Sequence, residues 1–179
     1  MPTRTIYLIR YPGARNQRAH FGIWVPYAEE GVKGTKVHVV GMPMAGFRLE
    51  FNRSYEPTAS ARRSERIPIG SVSTQHIYDY QGSPTIDHTP VGDLERTAAE
   101  VAPPRASKDI FAPVNDTTNR RCQEWTMDYV RKLVAKQYLD ASAIDVVHSK
   151  RDAPHVGTRL NPVGAGQKGS NDQENSTGE

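Results

Sequence analysis

Apolar and polar positions alternate in short runs over the first half of the chain. In the second half they recur every three or four residues over a single long segment. Thr5 to Arg10 (TIYLIR) is rich in β-branched and aromatic residues and is ended by Tyr11-Pro12-Gly13, which predicts a strand followed by a turn. Ala19 to Val25 (AHFGIWV) predicts a second strand, stopped by Pro26, and Lys36 to Gly41 (KVHVVG) a third. Gly31 and Gly34 between them suit a hairpin connection. Phe47 to Phe51 (FRLEF) alternates as a half-exposed fourth strand does. Ile67 to Ile77 predicts a fifth, with Pro68 and Gly70 weakening its start. Residues 53–66, 81–92 and 103–118 read as loops or irregular chain. Asp93 to Val101 predicts a short helix, capped by Asp93 and ended by Pro103-Pro104. A long helix is expected from about Asn119 or Arg120 to Gln137, with Asn119 or Thr118 as its cap. Cys122, Trp125, Tyr129, Val130, Leu133 and Val134 form one apolar stripe on it, so that face should pack against the sheet.

This pattern predicts an α+β domain over residues 3–147: a small antiparallel sheet packed on helices. From His148 onward the sequence holds Gly, Ser, Asn, Gln and charge with little to bury, which predicts a flexible polar tail over residues 148–179. Of the 179 residues, 36% are hydrophobic, and the poverty of the last segment accounts for much of that low share. The formal charge is only +3. The arginine clusters at Arg62, Arg63 and Arg66 and at Arg120 and Arg121 lack interleaved aromatics, so they predict solvated basic faces and no nucleic-acid partner. No apolar run approaches the roughly 18 residues of a membrane span, and the N-terminal run is too short for a signal peptide. A soluble, cytoplasmic protein is expected. One cysteine excludes a disulfide within the chain.

That cysteine is the first candidate for chemistry. Cys122 falls in the first turn of the long helix, where unpaired backbone N–H groups and the helix dipole favour thiolate. Arg120 and Arg121 are close in sequence. The competing reading is that a cysteine on an apolar stripe is core. Two histidines upstream add weight to the first reading. On strand parity His20 shares a face with Gly22 and Trp24, while Phe21, Ile23 and Val25 take the other. His38 sits in the next strand and can lie beside His20 across an antiparallel pair. A nucleophilic thiol needs a base and an orienting group, and His20 and His38 are candidates for those roles.

The order HFGIWVP, then KVHVVG, then NRRCQEW resembles the permuted papain-like superfamily, which includes NlpC-related amidases, lecithin:retinol acyltransferase-like enzymes and PPPDE-type isopeptidases. It is also similar to small proteins of filamentous fungi with the same order. The resemblance covers about residues 4–137, but its specific part is about twenty residues. It implies a permuted papain-like fold with Cys122 as nucleophile, His20 as base and His38 at the second polar position. Trp125 takes the aromatic place in the helix. One departure stands out: Arg121 occupies the position before the cysteine where the family usually has Asn.

The expected function is thiol-dependent acyl hydrolysis or transfer at an amide, ester or thioester of a small-molecule or peptide substrate, with no cofactor and no metal. Two other readings use the same shell. One is a non-catalytic binding module, favoured by Arg121. The other is a metabolite cyclase or isomerase with His20 as base and no acyl-enzyme. The remaining polar residues add little. Asn16 and Gln17 suit a loop. His76 lies in a β-like run, and His88 beside Asp87 lacks the spacing of a metal site. His148 and His155 fall in or near the expected tail. Trp24 and Trp125 suit the core. GAGQKG at Gly164 lacks the spacing of a phosphate-binding loop, and no G-x-S-x-G elbow occurs.

Overall fold

A computed structural model describes residues 1–158. Six strands form one antiparallel sheet: β1 (Thr3–Tyr11), β2 (His20–Pro26), β3 (Gly34–Met42), β4 (Gly46–Tyr55), β5 (Glu65–Ser73) and the short β6 (Thr85–Asp87). Their spatial order is β5-β1-β2-β3-β4-β6. Three helices follow: α1 (Gly92–Ala99), α2 (Cys122–Ala135) and α3 (Ser142–Ser149). The α+β class is therefore as the hydrophobic pattern predicts. No helix among the described residues is long and apolar enough to cross a membrane.

Strand parity sorts the sheet into two unlike faces. Ile6, Leu8, Ala19, Phe21, Ile23, Val25, Val37, Val39 and Phe51 point to one side and build the main core with all three helices. Trp125, Tyr129, Val130 and Leu133 of α2 close over them, all fully buried. Trp125 Nε1 donates to Val101 O at 2.9 Å, so burial of the indole leaves no orphan donor. The opposite face carries Ile9, Tyr11 and Trp24 as a second, smaller cluster edged by Tyr7 and Tyr55. Among the described residues the helices pack on the first face only.

Several boundaries differ from those the pattern predicts. Helix α2 begins at Cys122, with Arg121 as N-cap. Glu124 reaches back to accept the Arg121 backbone N–H at 2.9 Å, half of a capping box. Asn119 does not cap; its amide donates to Ala112 O and Pro113 O and pins the preceding loop. Asp93 lies inside α1, where it pairs with His76 and Arg96. Strand β6 falls in a segment that reads as loop; it is short, and its partner β4 supplies the pairing.

The largest correction concerns residues 148–158, expected to begin a flexible tail. They are strapped to the domain. Asp152 accepts the Ala19 N–H at 2.7 Å and the Gln123 amide at 2.8 Å, and pairs with Arg10 at 3.3 Å. Arg151 pairs with the buried Glu124, and Thr158 is itself buried. Composition misleads here because the segment is held by charge and hydrogen bonds rather than by apolar area. The rest of the expected tail, and the GAGQKG stretch, lie outside the described residues.

Candidate functional site

The two histidines meet. His20 opens β2 and His38 lies mid-β3, both pointing to the helix-free face, and His20 Nε2 is 2.8 Å from His38 Nδ1. Glu50 of β4 is the cross-strand partner of His38 in the register. Its carboxylate lies 3.8 Å from His38 Nε2 and is held from outside by Arg48 at 3.0 Å. His38 Nε2 is buried and makes no hydrogen bond, and the Glu50 carboxylate 3.8 Å away favours the proton on that nitrogen. His38 Nδ1 is then an acceptor, so His20 Nε2 donates to it. That leaves Nδ1 as the basic nitrogen of His20, with no hydrogen bond among the described residues.

Lys36 joins this line by parity, two residues before His38. Its stem lies across Gly22, where an added Cβ would stand 3.1 Å from Lys36 Cγ and 3.4 Å from His38 Cβ. The absent side chain at Gly22 is thus what lets Lys36 and His38 lie flat on the sheet. Lys36 Nζ donates to Tyr11 Oη at 3.1 Å and sits 4.0 Å over the ring of Tyr55. Tyr11 and Tyr55 share a short hydroxyl–hydroxyl contact. Arg62, on the loop after β4, lies over the other part of Tyr11, 4.9 Å from the ring centroid.

These residues line a cavity of about 400 Å3, open to solvent, with Arg62 and Ser60 on its rim. A second hollow of about 620 Å3, lined in part by Asn52, Ser54 and Thr85, shares Tyr55 and Ser60 with it. Positive charge outweighs negative around the first cavity. Neither Lys36 nor Arg62 has a carboxylate within ion-pair distance among the described residues, and Glu50 acts on Lys36 only from farther off. Burial, then the nearby Arg62 charge, lowers the Lys36 pKa to about 8 against the opposing pull of Glu50. Burial, then Lys36 and Arg62, lowers His20 to about 4, and burial with the same neighbouring charge pushes His38 down as well. At neutral pH both imidazoles are uncharged. Burial pushes Tyr11 up, so it stays a phenol and a donor.

Cys122 lies elsewhere. Its sulfur belongs to the core between α2 and the sheet, on the side of Ala19 and Phe21, and the residue is 8% exposed. Its polar contact is with the Ala19 carbonyl, at 3.8 Å. Burial pushes the thiol up to about 11, outweighing backbone N–H groups of Phe21 and Gln123 that favour thiolate. The expected pairing of Cys122 with His20 is not formed: no hydrogen bond joins them among the described residues, and they occupy opposite faces of β2. The physical reason is parity. The apolar stripe that carries Cys122 must pack on the apolar face of the sheet, and His20 alternates to the other. Arg121, the departure next to the cysteine, donates to Ile110 O and Gly157 O and ties two loops together.

The other candidate residues are structural. His76 pairs with Asp93 at 2.6 Å and stacks on Tyr138. His88 Nδ1 meets Leu49 O at 3.1 Å, and Asp87 pairs with the buried Arg53. Among the described residues no group of three or more His, Cys, Asp or Glu could hold a metal ion. Asn16 and Gln17 are exposed in the turn before β2, His148 lies exposed in the last turn of α3, and His155 lies exposed in the strap. Trp24 and Trp125 are core residues of the two faces. Tyr11, Lys36, Glu50, Tyr55 and Arg62 were not among the candidates. Lys36 carried a signal, since it shares the parity of His38 in a predicted strand; Arg62 carried none beyond its charge.

The family DUF6540, described as a family of unknown function, matches residues 6–140. The chain belongs to that family. The cleft residues of this DUF6540 domain, from Tyr11 to Arg62, all lie within the matched segment, while Asp152 lies beyond it. Neither a curated protein nor a solved structure matches the chain.

Proposed function

We propose that the open-face cleft binds a small anionic metabolite and that His20 acts on it as a general base, in an isomerisation or cyclisation that forms no acyl-enzyme. The observation that carries this reading is the hydrogen-bonded His20–His38 pair, with the Glu50 carboxylate 3.8 Å behind it, in a cavity that also holds Lys36 and Arg62, neither of them in an ion pair among the described residues. A cavity with an excess of positive charge attracts an anion. The histidine pair presents one basic nitrogen to whatever anion is bound there. Because Lys36 and Arg62 are among the causes that depress His20, an anion neutralising them makes His20 a stronger base in the complex than in the free protein.

Thiol-based acyl chemistry draws less support. With a thiol pKa of about 11, roughly one sulfur in 10⁴ is ionised at pH 7. The likeness to permuted papain-like enzymes favours it only through the order of the histidine strand and the cysteine helix.

Calorimetry against a panel of small mono- and dicarboxylates and phosphate esters tests the binding. Proton NMR in D2O, following loss of a C–H signal from the bound anion, tests the base. Lys36→Met is expected to weaken binding at least 10-fold, and His20→Asn to retain binding while losing deuterium exchange. Failure of every anion to bind sinks the reading, and exchange undiminished in His20→Asn removes the base. Binding without exchange in the wild type would make the domain a binding module.

A further inference from the structure

Lys36 is an unusual lysine for this chain. Lys132, Lys136 and Lys150 reach surface carboxylates at 2.5–3.2 Å. Lys36 is 7% exposed, forms no ion pair among the described residues, feels Glu50 only from beyond ion-pair distance, and ends in a cavity. An ammonium that serves only as a fixed charge gains from a carboxylate beside it. This one has a phenol instead, Tyr11 Oη at 3.1 Å, with the Tyr55 ring below it. Its stem is fixed by the groove that Gly22 leaves open. His20 belongs to the same cavity wall, and the exposed Arg62 also lines it. Amine, proton donor, base and anion anchor are therefore gathered around one space.

Resting on the anion-binding reading above, we propose that Lys36 is a covalent catalytic residue, forming an imine with the carbonyl carbon of a 2-oxo acid whose carboxylate is held by Arg62. The neutral amine adds to the carbonyl carbon to give a carbinolamine. The Lys36 nitrogen keeps its bond to carbon, and the carbinolamine hydroxyl, protonated by way of the Tyr11 phenol, leaves as water. The balance is amine plus carbonyl giving imine plus water, with no oxidant or reductant consumed. The protonated imine withdraws electrons from the neighbouring carbon, so its C–H proton passes to His20 and an enamine forms. That gives the base of the proposed function a substrate acidic enough to act on. The amine is suited to the first step. With a pKa of about 8, about one Lys36 in ten is neutral at pH 7, roughly 10²-fold more than for an ordinary lysine.

The test is reductive trapping on the full chain. The protein is incubated with pyruvate, glyoxylate or 2-oxoglutarate and borohydride, then read by intact mass and peptide mapping. The matching 2-hydroxy acids serve as non-carbonyl competitors, and calorimetry measures both series. The expected result is one adduct per chain at Lys36, suppressed by the hydroxy acid. Trapping should fall to background in Lys36→Arg and Lys36→Met, with the folded state of each variant checked by its urea midpoint. If oxo and hydroxy acids bind equally and no adduct forms, the imine is overturned while the anion site stands. If neither series binds, both fall. Adducts scattered over surface lysines, or unchanged in Lys36→Arg, overturn the assignment to Lys36.

Discussion

Mild acid should destabilise this domain through the histidine pair, at pH values above those at which its lowered aspartates titrate. His20 titrates near 4 when folded and at its usual 6.5 when unfolded. A lowered folded value means that the unfolded chain binds more protons between those limits, so stability rises with pH there and is lost as pH falls. The loss from His20 is RT ln[(1 + 10^(6.5 − pH))/(1 + 10^(4 − pH))], which is about 2 kcal/mol at pH 5 and about 3 at pH 4. His38, shifted in the same direction, adds to it. Against a typical stability of about 5–15 kcal/mol, such a loss is a large fraction. Asp87, Asp93 and Asp152, all held below their usual range, lose their contribution only as pH falls through about 4. Lys36 acts on the alkaline side: stability rises between about 8 and its usual 10.5 and is flat below. Glu95, raised by burial, opposes the histidines, so the quantity to measure is a difference between proteins rather than one slope.

The assay is urea unfolding followed by the fluorescence of Trp24 and Trp125, both buried, at steps from pH 7.5 to 4.5. Wild type is compared with His20→Asn, which cannot titrate. The stability advantage of wild type over the variant should shrink by about 2 kcal/mol between pH 7.5 and 5. A constant difference across that range would mean that His20 is not held neutral by its surroundings, and the electrostatic picture of the cleft would fail with it. A tight-binding anion should flatten the same limb, because it offsets Lys36 and Arg62.

Three further outcomes follow from the two-faced sheet. Iodoacetamide should modify native Cys122 at least about 10²-fold more slowly than free cysteine, and at the ordinary rate in denaturant; Cys122→Ala should cost about 1 kcal/mol and leave anion binding unchanged. Equal native and free rates would refute the burial of the sulfur. Gly22→Ala should weaken anion binding by displacing the Lys36 stem and cost about 1–2 kcal/mol by overpacking; unchanged binding would show that the stem does not need that groove. Ending the chain after Ser149 removes Asp152 from Ala19 N–H, Gln123 and Arg10, and should cost about 2–4 kcal/mol. A urea midpoint equal to that of the full chain would restore the reading of residues 150–158 as a loose end.

How much was legible depended on which signal spoke. Among the described residues, the pattern found five of six strands and two of three α-helices, because burial on one face imposes a period on sequence. It missed β6, whose three residues are too few for a period. It also missed α3, although Ala143 and Val147 sit one turn apart on its buried side. It found the meeting of His20 and His38, since antiparallel neighbours of like parity share a face. The cleft's cations were only half legible. Lys36 could be placed by parity, but Arg62 comes from a loop, and loops carry no period. The Asp152 strap was hidden because a polar segment held by hydrogen bonds has the composition of a free one.

The placement of Cys122 follows from strand parity. The stripe Cys122, Trp125, Tyr129, Val130 and Leu133 is apolar, so it must cover an apolar sheet face, and on β2 that face is Phe21, Ile23 and Val25. His20 alternates to the opposite side, with Gly22 and Trp24. A thiol on the stripe and an imidazole on the other parity cannot meet unless the strand twists or bulges between them, and β2 pairs with β1 in unbroken register from Tyr11↔His20 to Tyr7↔Trp24. The order of histidine strand and cysteine helix therefore does not bring the thiol to the imidazole in this chain. On the second face of the sheet the absence of a side chain at Gly22 lets a lysine and a histidine lie side by side, with no helix of the described residues above them. Lys36 and Arg62, in no ion pair among the described residues, call for water or an anion against them, and the same absence of cover is what gives a ligand access.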